Sequence, residues 1–255
     1  MRPLASGYHR PVPENFFTPE LVIAMFVAGA AGIIRGITGF GGSMVMTPPL
    51  ALLFGPQRAV PVVLLLEAFA GAPMMRDAIG RARWRVLAPI GIAACITIPL
   101  GGYVLVHADQ DLLRRAIAGI VIVFALLLLR GARYTGAHGT PSSLALGALS
   151  GTMLGATGIG GPPVILYLLS GPDPVPVTRA TLTLFVVLIS VAGLVMLATR
   201  GLLNTTSALT TLPLAPPFFI GVLLGARLFA RFSDQRFRQF TLLLLLVVSA
   251  GILLA

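Results

Sequence analysis

Long apolar runs separated by short polar connections dominate this chain of 255 residues. Five runs precede residue 131 and five follow residue 142. They cover about residues 19–37, 43–55, 59–75, 86–106 and 112–130, and then 143–157, 162–170, 178–199, 209–230 and 238–255. A helix that crosses the hydrocarbon core of a membrane needs roughly 20 mostly apolar residues. The pattern therefore predicts an all-α integral membrane protein.

The second run of each set is too short for a full span. Residues 43–55 hold Pro48 and Pro49, and residues 162–170 begin with Pro162 and Pro163. Short apolar segments with prolines are typical of half-helices or re-entrant pieces, which survive at membrane depth only when protein or a wet cavity surrounds them. We expect short, broken or re-entrant helices at these two places.

The two sets repeat each other in sequence. Thr38-Gly39-Phe40-Gly41-Gly42 is matched, 119 positions later, by Thr157-Gly158-Ile159-Gly160-Gly161. Further matches are Gly32 and Gly36 with Gly151 and Gly155, Arg58-Ala59 with Arg179-Ala180, and Leu100-Gly101 with Leu224-Gly225. This indicates an internal duplication. The predicted organisation is an N-terminal tail (1–18), a first repeat (19–130), a connector (131–142) and a second repeat (143–255).

Composition excludes an ordinary soluble protein. The chain is 56% hydrophobic and 10% charged, whereas soluble domains carry about 25% charged residues. A single cysteine, Cys95, permits neither a disulfide within the chain nor a cysteine-based metal site. We expect no metal and no cofactor.

The positive charges indicate how the chain is oriented in the membrane. The formal charge is +10 and every basic residue is an arginine. These arginines occupy short connections rather than one folded basic face, so no nucleic-acid partner is expected. The dense cluster lies at 76–85 in the first half but at 227–238 in the second, one connection later. Under the positive-inside rule the halves are then inverted, with the connector inside and both termini outside a cell (inner) membrane.

The two glycine motifs are the candidate substrate site. Glycine permits positive φ and close helix approach, and the unpaired N–H groups at a helix start attract anions. Two such turns, one from each inverted half, can meet at the membrane midplane, where transporters of this architecture bind substrate. Thr38 and Thr157 would add hydroxyl donors. The upstream glycines are better explained by helix packing.

The chain resembles the TauE/SafE sulfite exporter family, also called the TSUP transporters. The stretch from Gly36 to Leu50 carries most of the likeness, and 155–163 supports it. The resemblance implies a multi-pass inner-membrane carrier for small sulfur-containing or organic anions. Ser43 and Pro162 follow the glycine pairs where many members have further glycines, which leaves the substrate open.

Two charged residues stand inside apolar runs. Arg35 lies one turn before the first glycine motif, and the second repeat has Leu154 there. Glu67 is the only acid in its run. Because a charge within a membrane is costly, each needs a cavity or a partner. Arg35 is either a substrate contact, part of an ion pair or an arginine that snorkels to the interface; Glu67 is either a proton-coupling residue or the fixed partner of Arg35.

Phe40 and Ile159 occupy the same position of the two motifs. They either wall the substrate site or fill the packing around it. The predicted substrate-binding set is Arg35, Thr38, Gly39, Phe40, Gly41, Gly42, Thr157, Gly158, Ile159, Gly160 and Gly161, with Glu67 as the proton-coupling candidate.

The predicted function is secondary transport of a small anion, such as sulfite or a sulfonate, by alternating access. A passive anion channel is the alternative, since sequence does not separate the two. A membrane-embedded enzyme is disfavoured, because the apolar runs hold no histidine and no paired carboxylates that would form a catalytic set. The lipid bilayer and a small anion are the expected partners, with a coupling proton as a further candidate; oligomeric state is left open.

Overall fold

The computed structural model describes residues 18–72, 75–130, 134–136 and 139–229, which form ten helices and no strand. The helices are α1 (Pro19–Thr38), α2 (Gly42–Phe54), α3 (Pro56–Ala70), α4 (Met75–Arg81), α5 (Trp84–His107), α6 (Gln110–Leu129), α7 (Thr140–Thr157), α8 (Gly161–Leu169), α9 (Val175–Thr199) and α10 (Thr205–Phe229). The predicted tail up to residue 17, most of the second basic cluster and the last apolar run lie outside the described residues.

Four helices of the described chain, α1, α5, α9 and α10, are long and apolar enough to cross a membrane. This confirms the predicted all-α membrane class. As predicted, the second helix of each half is short, with 13 residues in α2 and 9 in α8. Pro162 sits in the first turn of α8, where its missing N–H has no helical partner to lose.

The helix of the third apolar run ends earlier than the predicted bound of residue 75. Helix α3 ends at Ala70, and the basic stretch expected to be a loop contains the seven-residue helix α4. This helix places Asp77 in its first turn and Arg81 in its last, which suits the helix dipole, and the two side chains form an ion pair of 2.8 Å. A short charged helix has no apolar stripe from which the sequence could have predicted it.

Two helix pairs make the most extensive contacts, α1 with α10 and α5 with α7. Glycines let the backbones touch. A β-carbon at Gly36 would lie well under 3.0 Å from the carbonyl oxygen of Val222, and one at Gly155 equally close to that of Ile98. Gly36 and Gly155 are 119 positions apart, and Ile98 and Val222 are 124 apart, so the two interfaces use matching positions of the repeats.

Within each of these pairs the helices run in the same direction. Contacts on α10 advance from Phe218 to Val222 as those on α1 advance from Gly32 to Gly36. On α5 they advance from 94 to 98 as those on α7 advance from 151 to 155. Both associations are therefore parallel.

The connections gather at two ends of the helix bundle. At one end, Arg83 before α5 pairs with Asp173 before α9, and the backbone N–H of Tyr134 donates to Ser170 Oγ. Helix α1 finishes at this end, where Gly39 lies against Arg179 near the start of α9. Since α5 begins there, α1 and α5 run in opposite directions.

Helices α3 and α9 form the centre, and the outer helices expose apolar faces. On α5, Ile92, Ile96 and Leu100 follow at four-residue intervals and are 60%, 72% and 61% exposed. Four-residue spacing puts these side chains on one helical face. A continuous apolar face of this kind on an outer helix is suited to lipid contact.

Candidate functional site

The first glycine turn is held by a threonine hydroxyl. Thr38 Oγ1 donates to the carbonyl of Ile34 at 2.8 Å and accepts from the backbone N–H of Phe40 at 3.2 Å. Gly39 ends α1 with φ of +79°, and its N–H donates to the carbonyl of Arg35 at 2.9 Å. Gly41 follows with φ of +85° at the start of α2. A side chain at either glycine would strain the backbone.

The second turn repeats the threonine bonds and the helix end of the first, but Gly160 has φ of −109° where Gly41 has +85°. Thr157 Oγ1 donates to the carbonyl of Met153 at 2.7 Å and accepts from the N–H of Ile159 at 3.3 Å. Gly158 has φ of +74°, and its N–H reaches the carbonyl of Leu154 at 2.7 Å. Both threonine hydroxyls were predicted as donors: Thr157 gives its proton to its own helix, and Thr38 has two acceptors within reach, the carbonyls of Ile34 and Phe40.

The turns differ in how firmly they are closed. The whole second turn is buried, and Ser150 Oγ donates to the carbonyl of Gly160. The corresponding position of the first repeat is Ala31, which has no hydroxyl. In the first turn, Thr38, Phe40 and Gly41 are only half-buried. The first turn is consequently the more accessible of the two.

Helix α3 passes both turns. A β-carbon at Gly42 would lie well under 3.0 Å from Glu67 Oε1, and one at Gly158 would lie 3.5 Å from the side chain of Val60. Seven residues separate the two contact points, which corresponds to roughly 10 Å along a helix at about 1.5 Å per residue.

The contacts of the two turns with helix α9 are separated by a similar distance. A β-carbon at Gly39 would lie 3.2 Å from Thr183 Oγ1, and one at Gly160 would lie 2.9 Å from Ile189 Cδ1. The six residues between these contacts span about 9 Å. The predicted site residues of both repeats are thus brought into one region at the centre of the bundle.

The predicted charged residues meet beside the first turn. Arg35 Nε donates to Glu67 Oε2 at 2.7 Å, and the side chains are 2% and 1% exposed. Arg35 Nη1, Arg35 Nη2 and Glu67 Oε1 have no hydrogen-bond partner among the described residues. Gly42 is the residue that leaves space for the carboxylate. The pair is single-pronged rather than the two-pronged form that Arg and carboxylate usually favour.

Two buried hydroxyls near the turns are not among the residues predicted for the site. Thr47, in α2, and Ser190, in α9, are buried, and neither oxygen has a hydrogen-bond partner among the described residues. Thr47 Oγ1 would lie 3.6 Å from a β-carbon at Gly158. The available signal was a lone threonine between apolar neighbours in the short second run.

A half-open cleft of about 320 Å³ leads toward the first turn from the end of the bundle that holds α4. Arg179 contributes to its wall and donates through Nη2 to the carbonyl of Gly36 at 2.6 Å. The lining consists of Asp77, Ala78, Arg81, Pro176, Arg179, Ala180, Thr183 and Ala226. Two arginines and one aspartate give this cleft a positive balance.

Phe40 and Ile159 differ despite their matching positions, since Phe40 is half-buried and Ile159 is 0% exposed. Ile159 therefore packs in the core, and Phe40 alone keeps access to the surface. Across the described ranges no three His, Cys, Asp or Glu side chains are grouped as metal ligands.

Known proteins match this chain over nearly its whole length. A family model described as sulfite exporter TauE/SafE matches residues 24–252. The chain is 27% identical over 233 residues to a Cupriavidus necator protein named probable sulfite/organosulfonate exporter TauE, with 89% of this chain and 91% of the relative covered. No solved structure matches.

Proposed function

Since the chain belongs to the sulfite exporter TauE/SafE family of multi-pass membrane transporters, we propose that it is a secondary transporter whose substrate binds between the two glycine turns. The substrate is a small anion, namely sulfite, a sulfonate or another small sulfur-containing or organic anion. The name of the Cupriavidus necator relative supports this substrate class. No catalytic role is proposed.

The observation that carries the proposal is the guanidinium of Arg35. It is buried at the first turn with two nitrogens that have no partner among the described residues. A guanidinium presents two parallel N–H groups that match two oxygens of an oxyanion. The start of α2, with the glycines Gly41 and Gly42 and without an acidic first turn, adds the positive end of a helix dipole beside it.

We further propose that the repeats form an inverted duplication. The matching glycine interfaces, the matching turns and the opposite directions of α1 and α5 support it, because α7 runs parallel to α5. Positive-inside bias places the end with Arg83 and the connector inside. In this orientation the cleft opens inward, both termini face outward, and the membrane is a cell (inner) membrane.

Alternating access is favoured over a passive channel by the unequal closure of the turns. The cleft approaches the half-buried first turn, while the second turn is buried and tied by Ser150. A conducting pore needs simultaneous access from both sides. The described residues thus match a carrier that is open toward one side.

The test is flux of radiolabelled sulfite and methanesulfonate into proteoliposomes. We expect saturable uptake and counterflow, which a channel does not produce. Arg35→Leu, the residue of the second repeat, should abolish uptake, whereas Arg200→Leu removes the same charge from an exposed position and should not. Equal flux in both variants would overturn the assignment of Arg35, and no protein-dependent flux of either anion would overturn the proposed function.

A further inference from the structure

The ion pair beside the first turn has three polar atoms that no described residue hydrogen-bonds, and these carry an inference that rests on the proposed function. We propose that Glu67 is a proton-operated lock on Arg35, so that the anion binds only together with a proton and crosses the membrane as an electroneutral symport. The direction of flux then follows the combined gradients of anion and proton.

Arg35 is not required for the helix end beside it. The second repeat ends α7 with the same threonine hydrogen bonds to the helix and to the third motif residue, and with nearly the same φ at Gly158 as at Gly39, yet it has Leu154 where the first has Arg35. Leu154 is buried to the same degree as Arg35, at 2% exposure. The buried charge therefore serves a purpose other than forming this helix end.

The pair is also arranged poorly for a purely structural bridge. Its single bond of 2.7 Å leaves Nη1, Nη2 and Oε1 without a partner in the described part of the chain, and each buried unsatisfied group is unfavourable. Buried ion pairs offset the loss of water only when their remaining donors and acceptors are satisfied. The free edge of Arg35 is instead the edge that can take two oxygens of a sulfite or sulfonate.

An anion bound to Arg35 changes the charge balance of the buried site. Arg35 and Glu67 together are neutral, so a monoanion would leave one buried negative charge without compensation. Helices α2, α5, α6, α9 and α10 pack against α3. Apart from α2, which has none, they carry the titratable or charged residues Arg85, Cys95, Tyr103, His107, Asp111, Arg114, Arg115, Arg179 and Arg227, and α1 carries Glu20. Among the described residues, Arg35 alone is within ion-pair distance of Glu67.

A proton on Glu67 restores neutrality. The carboxylate takes one proton from water on the side where the anion arrives, and its bond to Arg35 loses the ionic part. The guanidinium then binds the oxygens of the anion, and the assembly of cation, anion and neutral acid carries no net charge. On the opposite side the anion and the proton leave, and the ion pair forms again. One proton moves with each monoanion.

The experiment measures charge movement in proteoliposomes. Methanesulfonate is the first probe, because its sulfonate remains ionised at assay pH and any proton that moves is carried by the protein. A trapped pH dye reports protons, and potassium with valinomycin sets the membrane potential. For the wild type we expect protons to move with methanesulfonate and flux to be unaffected by potential. If sulfite alone is carried, the same comparison is made at mildly acidic pH, where hydrogen sulfite is the main species, with protein-free liposomes subtracted.

Glu67→Gln keeps the size of the side chain and mimics the protonated acid. It should retain anion flux, lose proton movement and become sensitive to potential. Proton movement that persists in Glu67→Gln, or wild-type flux that responds to potential, would overturn the lock. The wild-type measurement decides the matter even where the variant does not fold. Absence of protein-dependent flux of either anion would instead overturn the proposed function itself, and the lock with it.

Discussion

The α-carbon of Gly36 lies so close to the carbonyl oxygen of Val222 that a β-carbon at position 36 would stand well under 3.0 Å from it. Gly155 has the same relation to Ile98. Backbone is the neighbour in both cases, so no side chain can turn aside to make room. The close approach of the helices in the pairs α1–α10 and α5–α7 therefore depends on these glycines.

Gly36→Ala should destabilise the protein by about 1–3 kcal/mol, the usual cost of overpacking a close interface. Gly119→Ala is the matched control, because a β-carbon there meets nothing within 4 Å. Since alanine is the better helix former, this control should raise stability by up to about 1 kcal/mol. Thermal unfolding in detergent measures both changes, and equal effects of the two substitutions would contradict the packing.

Gly155→Ala should lower stability as much as Gly36→Ala does, since the contacts of the two glycines correspond in the two repeats. The measurement is the difference between the two unfolding temperatures in the same detergent. A loss confined to one of the variants would mean that the two interfaces do not contribute equally.

Gly158→Asn should be tolerated better than Gly158→Ala. The backbone φ there is +74°, while the nearest side-chain atoms to a β-carbon are at 3.5 Å, so the penalty comes from conformation rather than from collision. Alanine in this region costs roughly 1–2 kcal/mol, and asparagine visits it more readily. Unfolding temperatures of the two variants provide the comparison, with alanine expected to be lower.

Gly42→Ala should impair anion flux, whereas Gly119→Ala should not. A β-carbon at 42 would collide with the Glu67 carboxylate, while one at 119 meets nothing within 4 Å. Flux of methanesulfonate and sulfite into proteoliposomes distinguishes them. Full activity of Gly42→Ala would show that the position of Glu67 does not matter for transport.

Thr47→Val should leave stability unchanged and reduce anion flux. Its hydroxyl has no partner among the described residues, so the apolar replacement loses no hydrogen bond. Thr157→Val is the control, since it removes the bond to Met153 and leaves the N–H of Ile159 unpaired, at a cost of about 1–3 kcal/mol. Unfolding and flux are measured on both. A destabilised Thr47→Val would reveal an unrecognised structural bond.

The sequence predicted which segments are helices and where a second backbone comes close, but it did not predict which helices pack against each other. Apolar runs mark helices because a spanning segment must be apolar along its length, and the spacing of Gly32 and Gly36 marks a surface where another backbone approaches. Neither feature says that α1 packs on α10, since many helices present small residues. Helix α4 was missed for the opposite reason, because it is stabilised by charges.

The candidate site was predictable in its charges and not in its hydroxyls. Opposite charges in otherwise apolar segments must find partners, so the pair of Arg35 with Glu67 was one of the expected arrangements. A threonine in a helix can give its proton to the carbonyl four residues before it, as Thr38 and Thr157 do. Thr47 lies outside the repeated motif, and the sequence does not show that its hydroxyl, unlike theirs, has no partner among the described residues.

The bond from Ser150 to the carbonyl of Gly160 has a consequence for the resting protein. If the two turns exchange their conformations during transport, the opposite-facing state must close the first turn where Ala31 offers no hydroxyl. One net hydrogen bond is worth about 1 kcal/mol, or roughly a fivefold difference in population. The empty carrier would then rest mostly facing one way, and its two membrane faces would bind the same anion with different apparent affinities.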